Sequence, residues 1–303
     1  MRQGEFGLAP ELALFNQDWD QFLDAKRGAV RAWGESLSLR GASRARGLGK
    51  AMSVTSGTKS ESGLGETVRV VIHALLIALV IRTFLFQPFN IPSGSMKATL
   101  LVGDYLFVSK YSYGYSHYSF PLSPPIFSGR IFGSEPNRGD VVVFRLPKDD
   151  TTDYIKRVIG LPGDRIQMRD GQLYINEKPV DRERLSDFVG EDPCNPDGTA
   201  RVKRWRETLP NGVSYETLDC VDNGYYDNTN VYTVPPGHFF MMGDNRDNST
   251  DSRVQSAVGY VPLENIVGRA QMIFFSIAEG EHAWMFWRWP VAVRWNRLFK
   301  LVR

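Results

Sequence analysis

The stretch DYIKRVIGLPGDRIQM, residues 153–168, contains two short runs of apolar and β-branched residues separated by Leu-Pro-Gly-Asp. Such runs, bounded by Gly and Pro, are typical of β-strands. Gly-Asp precedes an apolar run at two further places, in GDYLFVSKY from Gly103 and in GDVVVFRL from Gly139. Because helical periodicity is weak in this part of the chain, the pattern predicts a mainly β domain built on an antiparallel sheet.

The most apolar run of the chain precedes these strands, and residues 70–86 read VVIHALLIALVIRTFLF. It is near the minimum of about 17–25 residues that cross a bilayer as a helix. It is apolar on every side, which fits lipid better than a globular core. A buried globular helix and a cleaved secretory signal are the alternatives, but no small-x-small cleavage site follows, and Pro88 and Pro92 are unfavourable there. We predict one transmembrane helix, residues 67–86, with Arg82 reaching the interface.

The residues before this helix predict its orientation. Basic residues favour the cytoplasmic side of a membrane, and several lie before the apolar run that begins at Val70, among them Arg40, Arg44, Arg46, Lys50, Lys59 and Arg69. We therefore expect a cytoplasmic segment and linker over residues 1–66 and one extracytoplasmic domain over residues 87–303. Met52 is an alternative start, so residues 1–51 carry no functional prediction.

Two segments of the extracytoplasmic domain are predicted to be polar insertions, residues 111–138 and residues 181–232. The second contains both cysteines of the chain, Cys194 and Cys220. Outside the cytosol they can form a disulfide that closes the insertion. Two free thiols are the alternative.

Composition excludes some functions. The 303 residues include 36 Lys and Arg against 34 Asp and Glu, a formal net charge of +2, whereas nucleic-acid binding usually needs a clustered basic excess. The chain has four His and no Cys-x-x-Cys pair, so we expect no metal site. The C-terminal residues 282–303 interleave four Trp with Arg and Lys. This pattern favours either a contact with lipid headgroups or an ordinary core-packing tail.

Two serines follow the span in FNIPSGSMKATL, residues 89–100, where Ser93 and Ser95 flank Gly94. A serine nucleophile needs a base within hydrogen-bond reach, and the three His after the span lie in no polar cluster. A lysine can act as this base if burial makes it neutral. Lys156 is the candidate, because Tyr154 and Val158 share its strand face. A lysine on an exposed strand face is the alternative.

A third polar cluster is GDNRDNSTDSR, residues 243–253. A calcium loop does not fit, because two Arg intrude and the expected Gly and closing Glu are missing. A solvated turn is one interpretation. The other is a set of Asp–Arg pairs that fixes the loop and aims Ser249 at the base.

The three motifs IPSGSM, YIKRVIGLPGD and GDNRDNSTDSR, in this order after an N-terminal span, resemble the type I bacterial signal peptidases. These are membrane-anchored serine proteases with a Ser-Lys dyad, and the resemblance covers roughly residues 86–270. It implies that Ser95 is the nucleophile and Lys156 the general base. It further implies roles for eight other residues: an oxyanion hole from Ser93 and the Ser95 N–H, a lysine-orienting Ser249, ion pairs among Asp244, Arg246, Asp251 and Arg253, and pockets lined by Ile91 and Ile155.

The resemblance implies removal of signal peptides from exported preproteins, after small-x-small sites and without a cofactor. It also implies a monomer in the inner membrane of a bacterium, with a periplasmic catalytic domain; a contact of this domain with membrane lipid rests on the C-terminal tail alone. Two rivals remain. A self-cleaving Ser-Lys repressor would be cytosolic and would carry a DNA-binding helix pair, and a non-catalytic peptide-binding β-domain would not need Ser95 or Lys156.

Overall fold

The computed structural model describes residues 63–125, 127–191, 194 and 199–303. The predicted cytoplasmic segment therefore lies almost wholly outside the described residues. The predicted boundaries at residues 66 and 86 stay predictions.

The chain enters the described part through helix α1 (Gly63–Val80), which continues as a π-helical turn over Ile81–Leu85. Residues 65–85 have a mean hydropathy of 2.2, and only 6% of the most apolar window is buried. Twenty-one residues of helix measure about 31 Å, which matches the hydrocarbon thickness of a bilayer. The apolar side chains on all sides of α1 thus pack against nothing in the part of the chain that the structure describes. This is what a membrane span requires, and Phe86 already begins the first strand.

One antiparallel sheet of seven strands forms the centre of the domain, in the order β1-β2-β15-β3-β4-β13-β14. Its strands are β1 (Phe86–Asn90), β2 (Asp104–Ser109), β3 (Val141–Arg145), β4 (Asp153–Gly160), β13 (His238–Met242), β14 (Val261–Pro262) and β15 (Ile266–Ser276). The side chains of β3 alternate between two core clusters, so both faces of the sheet centre are buried. The predicted mainly β fold is confirmed.

The second insertion is not a loop. Residues 181–232 form an antiparallel sheet from β8 (Asp181–Arg184), β9 (Phe188–Glu191), β10 (Thr199–Thr208) and β11 (Ser214–Asp219). A smaller sheet joins β5 (Arg165–Arg169), β6 (Gln172–Ile175), β7 (Lys178–Pro179) and β12 (Tyr232–Thr233). The polar composition of the insertion hid these strands, because hydrogen bonds between strands do not depend on side-chain polarity.

The first insertion and the tail contain little regular structure. Residues 111–138 hold two 3-10 turns, Tyr111–Tyr113 and His117–Ser119, and a bridge between Tyr115 and Ile131. The tail includes one short helix, α2 (Trp289–Ala292). Part of the tail packs into the core, because Ala292, Val293 and Val302 are buried. The side chains of Trp284, Trp287 and Trp295 are more than half exposed and remain accessible to lipid.

Cys194 and Cys220 form a disulfide with a Cα–Cα distance of 6.1 Å, within the usual range. The bridge closes a segment of 26 residues across the second insertion. Removing it with the paired variant Cys194→Ser, Cys220→Ser should lower the free energy of unfolding by about 3 kcal/mol, because the unfolded chain regains loop entropy. Denaturant titration of oxidised wild type and of the variant measures this, and equal midpoints would contradict it.

Candidate active site

The structure brings the predicted nucleophile and base together. Lys156 Nζ donates a hydrogen bond of 2.6 Å to Ser95 Oγ. Both residues are buried, at 3% and 8% exposure. A hydroxyl next to a buried amine is the arrangement that activates a serine.

Local sequence explains why Ser95 lies there. Extended Ser93 leads into a single 3-10 turn, Gly94–Met96. Ile91 and Met96, on either side of Ser95, are buried in the main core cluster. Each such burial contributes about 1.5–3 kcal/mol, so the turn is held at two points and the serine between them has a fixed position.

Lys156 lies in the middle of β4, opposite Val142 of β3. Its Nζ is 5.5 Å from the ring centre of Tyr154 on the same face, as the strand periodicity predicted. Burial lowers the pKa of Lys156 from 10.5 to about 8, although Asp251 and Asp244 partly oppose this shift. A considerable fraction of the lysine is thus neutral at slightly alkaline pH.

This pKa predicts the pH dependence of activity. The base must be neutral, so kcat/KM should rise with pH and level off above about 8, rather than near 10.5. A pH profile of peptide cleavage by the full-length protein, taken between pH 6 and 10 in detergent, measures it. A rise centred near the unperturbed lysine value would contradict a buried base.

The other predicted serines differ in placement. Ser93 is exposed, and its Oγ is 3.4 Å from Ser95 Oγ, close enough to line the same reaction centre. The buried Ser249 hydroxyl forms no hydrogen bond of normal geometry within the described residues, although it lies near enough to Asp251 to help lower the pKa of that carboxyl. The structure thus does not join Ser249 to Lys156, and its orienting role stays a prediction.

The loop 243–253 holds the turn that contains Ser95 through hydrogen bonds to the main-chain carbonyls of this turn. Asn245 N–H donates to the Ser95 carbonyl at 3.1 Å, and the Asn245 side chain donates to the Gly94 carbonyl at 3.3 Å. A Cβ on Gly243 would lie 2.2 Å from Ser249 Oγ and 2.6 Å from the Ser95 carbonyl oxygen. Only glycine permits this approach, so the motif packs directly against the reactive residue.

Asp251 and Arg253 form the predicted ion pair, with both side chains buried and joined at 2.9 Å. Burial raises the pKa of the Asp251 carboxyl, but Arg253 and the Gly243 N–H outweigh it and hold the pKa below its usual value. The carboxylate therefore stays charged beside Lys156. Its partner Arg253 also donates to the Arg246 carbonyl at 2.5 Å, which ties both ends of the loop together.

Asp244 and Arg246 do not pair with each other. Asp244 accepts two hydrogen bonds from Arg157, at 2.8 and 2.7 Å. Arg246 donates two to Glu207, at 2.8 and 2.5 Å, and Tyr215 donates to the same carboxylate at 2.9 Å. These partners were not predicted from the sequence. Arg157 directly follows Lys156 in the motif YIKRVIGLPGD, so the sequence offered it as a possible partner for an aspartate. Glu207 and Tyr215 lie in the second insertion, where no motif indicated a contact with the site.

The predicted pocket residues lie close to the same core. Ile91 is buried, and the half-buried Ile155 packs against the cluster that contains it. In the part of the chain that the structure describes, no group of three His, Cys, Asp or Glu side chains could hold a metal ion.

The protein combines an antiparallel β-domain, one apolar helix before it, and a serine hydroxyl that is hydrogen-bonded to a buried lysine. These features define the class of membrane-anchored serine peptidases that use lysine as the base. Comparison with known proteins gives the particular family. The family model "Signal peptidase, peptidase S26" matches residues 64–275, and the chain belongs to this family of serine endopeptidases.

Relatives in the genus Rickettsia carry the name signal peptidase I. The protein of Rickettsia conorii is 48% identical over 210 residues, covering 67% of this chain and 76% of its own length. That of Rickettsia typhi is 46% identical over 227 residues, covering 72% and 83%. A crystal structure of a signal peptidase I from Enterococcus faecalis is 27% identical and covers 45% of this chain and 97% of its own, with a TM-score of 0.27.

Proposed function

We propose that this protein cuts signal peptides from exported preproteins, with Ser95 as the nucleophile and Lys156 as the general base. The observation that carries the proposal is the 2.6 Å contact between Lys156 Nζ and Ser95 Oγ. Membership of the signal peptidase family supplies the substrate class. A peptide-binding domain without catalysis would not require a buried lysine at this contact.

The geometry supports a two-stage reaction. Neutral Lys156 accepts the Ser95 proton as Oγ bonds to the scissile carbonyl carbon, and the resulting ammonium then protonates the departing amine as the C–N bond breaks. In the second stage neutral Lys156 takes a proton from water as the water oxygen attacks the acyl-enzyme ester. The lysine then returns this proton to Ser95 Oγ as the C–Oγ bond breaks, which frees the Ser95 hydroxyl and the product carboxylic acid, and the acid loses its own proton to solvent. Ser93 Oγ and the Ser95 N–H are the proposed donors to the negatively charged carbonyl oxygen.

Substrate binding follows from the position of β1. This strand forms an edge of the main sheet, so an extended peptide can pair with the chain beside residues 89–93 through main-chain hydrogen bonds. Such bonds are independent of side chains. Ile91 and Ile155 would line shallow apolar pockets that accept only small residues, one and three positions before the cut.

The proposed location is the bacterial inner membrane, with a single span, a cytoplasmic N-terminus and a periplasmic catalytic domain in a monomer. The basic residues before α1 support this orientation. The exposed Trp284, Trp287 and Trp295 of the tail support a contact of the domain with lipid. A scissile bond just outside the bilayer would then lie level with Ser95.

The test uses the full-length protein in detergent and a purified preprotein, with the new N-terminus of the product sequenced. Cutting immediately after a small-x-small site supports the proposal. The matched control is the same preprotein with a large residue directly before that site, which should stay intact. Binding of the preprotein without cutting would support a binding domain instead.

A further inference from the structure

The first insertion contacts the last turn of the membrane anchor. Phe84 lies within the candidate span, and its ring packs edge-on against Tyr115 at 5.7 Å and Phe120 at 6.2 Å between centroids. The Tyr115 hydroxyl donates a hydrogen bond of 2.9 Å to the Phe84 carbonyl. These insertion residues therefore lie at the level where the anchor leaves the hydrocarbon, and aromatic rings favour that level.

Directly after Phe120 the chain forms a turn that presents a leucine. Ser123 N–H donates to the Phe120 carbonyl at 3.1 Å, and Leu122, inside this turn, has a φ of 64°. Glycine is the usual residue for such a position. Leu122 is nevertheless fully exposed, at 102%, so its side chain packs against none of the residues that the structure describes. A leucine held in this strained conformation without such a contact points to a partner outside them.

The composition of the segment suits an apolar environment. No Lys, Arg, Asp or Glu lies between Lys110 and Arg130. Half of the six residues 120–125 are prolines, which lack an N–H. Phe120 N–H donates to the His117 carbonyl, and Ser123 N–H closes the turn. Few backbone donors would thus lose a partner on leaving water, which is the main cost of placing a loop near lipid tails.

We propose that residues 120–125 dip into the lipid–water interface beside the anchor, with Leu122 in contact with the acyl chains. This contact is separate from the tryptophans of the tail. Together with the packing of Phe84 on Tyr115 and Phe120, it would fix the height of the catalytic domain above the bilayer. The proposal depends on the span and not on the chemistry of Ser95.

A spin label at position 122 tests this in the full-length protein. The two cysteines of the chain are bridged, so Leu122→Cys provides a single site for a nitroxide. The matched control is Tyr225→Cys, at a residue of the second insertion that is 88% exposed. Each labelled protein is reconstituted in vesicles of phosphatidylethanolamine and phosphatidylglycerol, and its thermal midpoint is compared with that of wild type to confirm folding.

Electron paramagnetic resonance then compares relaxation of each label by oxygen, which concentrates in lipid, and by a water-soluble nickel chelate. We expect oxygen to dominate at position 122 and nickel to dominate at position 225. Equal access of nickel to both positions would overturn the proposal. Protection of position 122 from both reagents would also overturn it, because a protein partner would then cover the loop.

Discussion

Lys156→Met is expected to reduce kcat/KM by about a hundred- to ten-thousandfold while the protein stays folded. Methionine has a similar length but no basic atom, so Ser95 Oγ keeps its packing and loses the acceptor for its proton. Loss of a general base typically costs a factor of about 10²–10⁴. Cleavage of a preprotein by the detergent-solubilised variant measures the loss.

The chain provides a matched control in Lys110. This lysine is also buried, at 2% exposure, and burial lowers its pKa to about 8, but its Nζ donates to the Ser119 carbonyl. Lys110→Met therefore removes a similar buried amine elsewhere, and we expect it to retain most activity. Similar losses in both variants would mean that the effect comes from packing and not from the base.

A second comparison tests whether the two residues act as a unit. Ser95→Ala should be as inactive as Lys156→Met, and the double variant should be no worse than either, because each change alone removes the same step. Multiplying losses would contradict the dyad, since independent contributions to the barrier add as free energies.

The stability of Lys156→Met separates catalysis from folding. The folded pKa of about 8 lies below the unfolded value of 10.5, so between these values the unfolded chain binds more protons and stability rises with pH. Below pH 8 the buried ammonium is a net cost. The variant should therefore be at least as stable as wild type at pH 7, and this advantage should shrink toward pH 10.

The main sheet and the strand position of Lys156 were predictable because their signals are local. Gly-Asp turns and alternating residues place Lys156 on a strand face with Tyr154 and Val158, and no distant information is needed. The contact with Ser95, 61 positions away, came from the family resemblance. Residue types alone favoured an exposed lysine, which is the commoner case on a strand face.

One of the buried ion pairs could be predicted from the sequence, but the partners of Asp244 and Arg246 could not. Asp251 and Arg253 are two residues apart, so one motif contains the whole pair. Asp244 and Arg246 lie in the same motif, but their partners are 87 and 39 positions away. Charge in a sequence predicts that a partner is needed when the residue is buried, but it does not say which of many carboxylates or guanidinium groups supplies it.

The second insertion shows the same limit. Strand β10 reads TARVKRWRET, whose charges are more typical of a solvated loop than of a strand. The structure uses the two faces differently, since Glu207 is buried against Arg246 while Arg206 pairs with the exposed Glu183. Which charge turns inward depends on Arg246 in the loop 243–253, which lies 39 positions from Glu207.

Glu207→Gln is expected to lower the free energy of unfolding by about 3 kcal/mol. The side chains of Glu207 and Arg246 are 1% and 5% exposed, so the substitution leaves a guanidinium without its counter-charge in a dry environment. Breaking a buried pair in this way typically costs about 3–5 kcal/mol. Urea titration of the folded protein in detergent measures the change.

Glu216→Gln is the matched control, on strand β11 of the sheet that the second insertion forms. Glu216 pairs with Arg204 at 3.4 Å, and the side chains are 37% and 28% exposed, so we expect a change of less than about 1 kcal/mol. Removing both charges of the buried pair, with Glu207→Leu and Arg246→Met, should recover most of the lost stability. Equal midpoints for Glu207→Gln and Glu216→Gln would contradict the assignment.

Glu207→Gln also tests whether the second insertion positions the nucleophile Ser95. Arg246 follows Asn245, whose N–H holds the Ser95 carbonyl at 3.1 Å, and the Arg246 carbonyl accepts a hydrogen bond from Arg253. Weakening the hold of Glu207 on Arg246 should therefore loosen this segment and lower kcat, while KM changes little because the edge strand β1 is untouched. If kcat is unchanged under conditions where the variant stays folded, the insertion stabilises the domain without positioning Ser95.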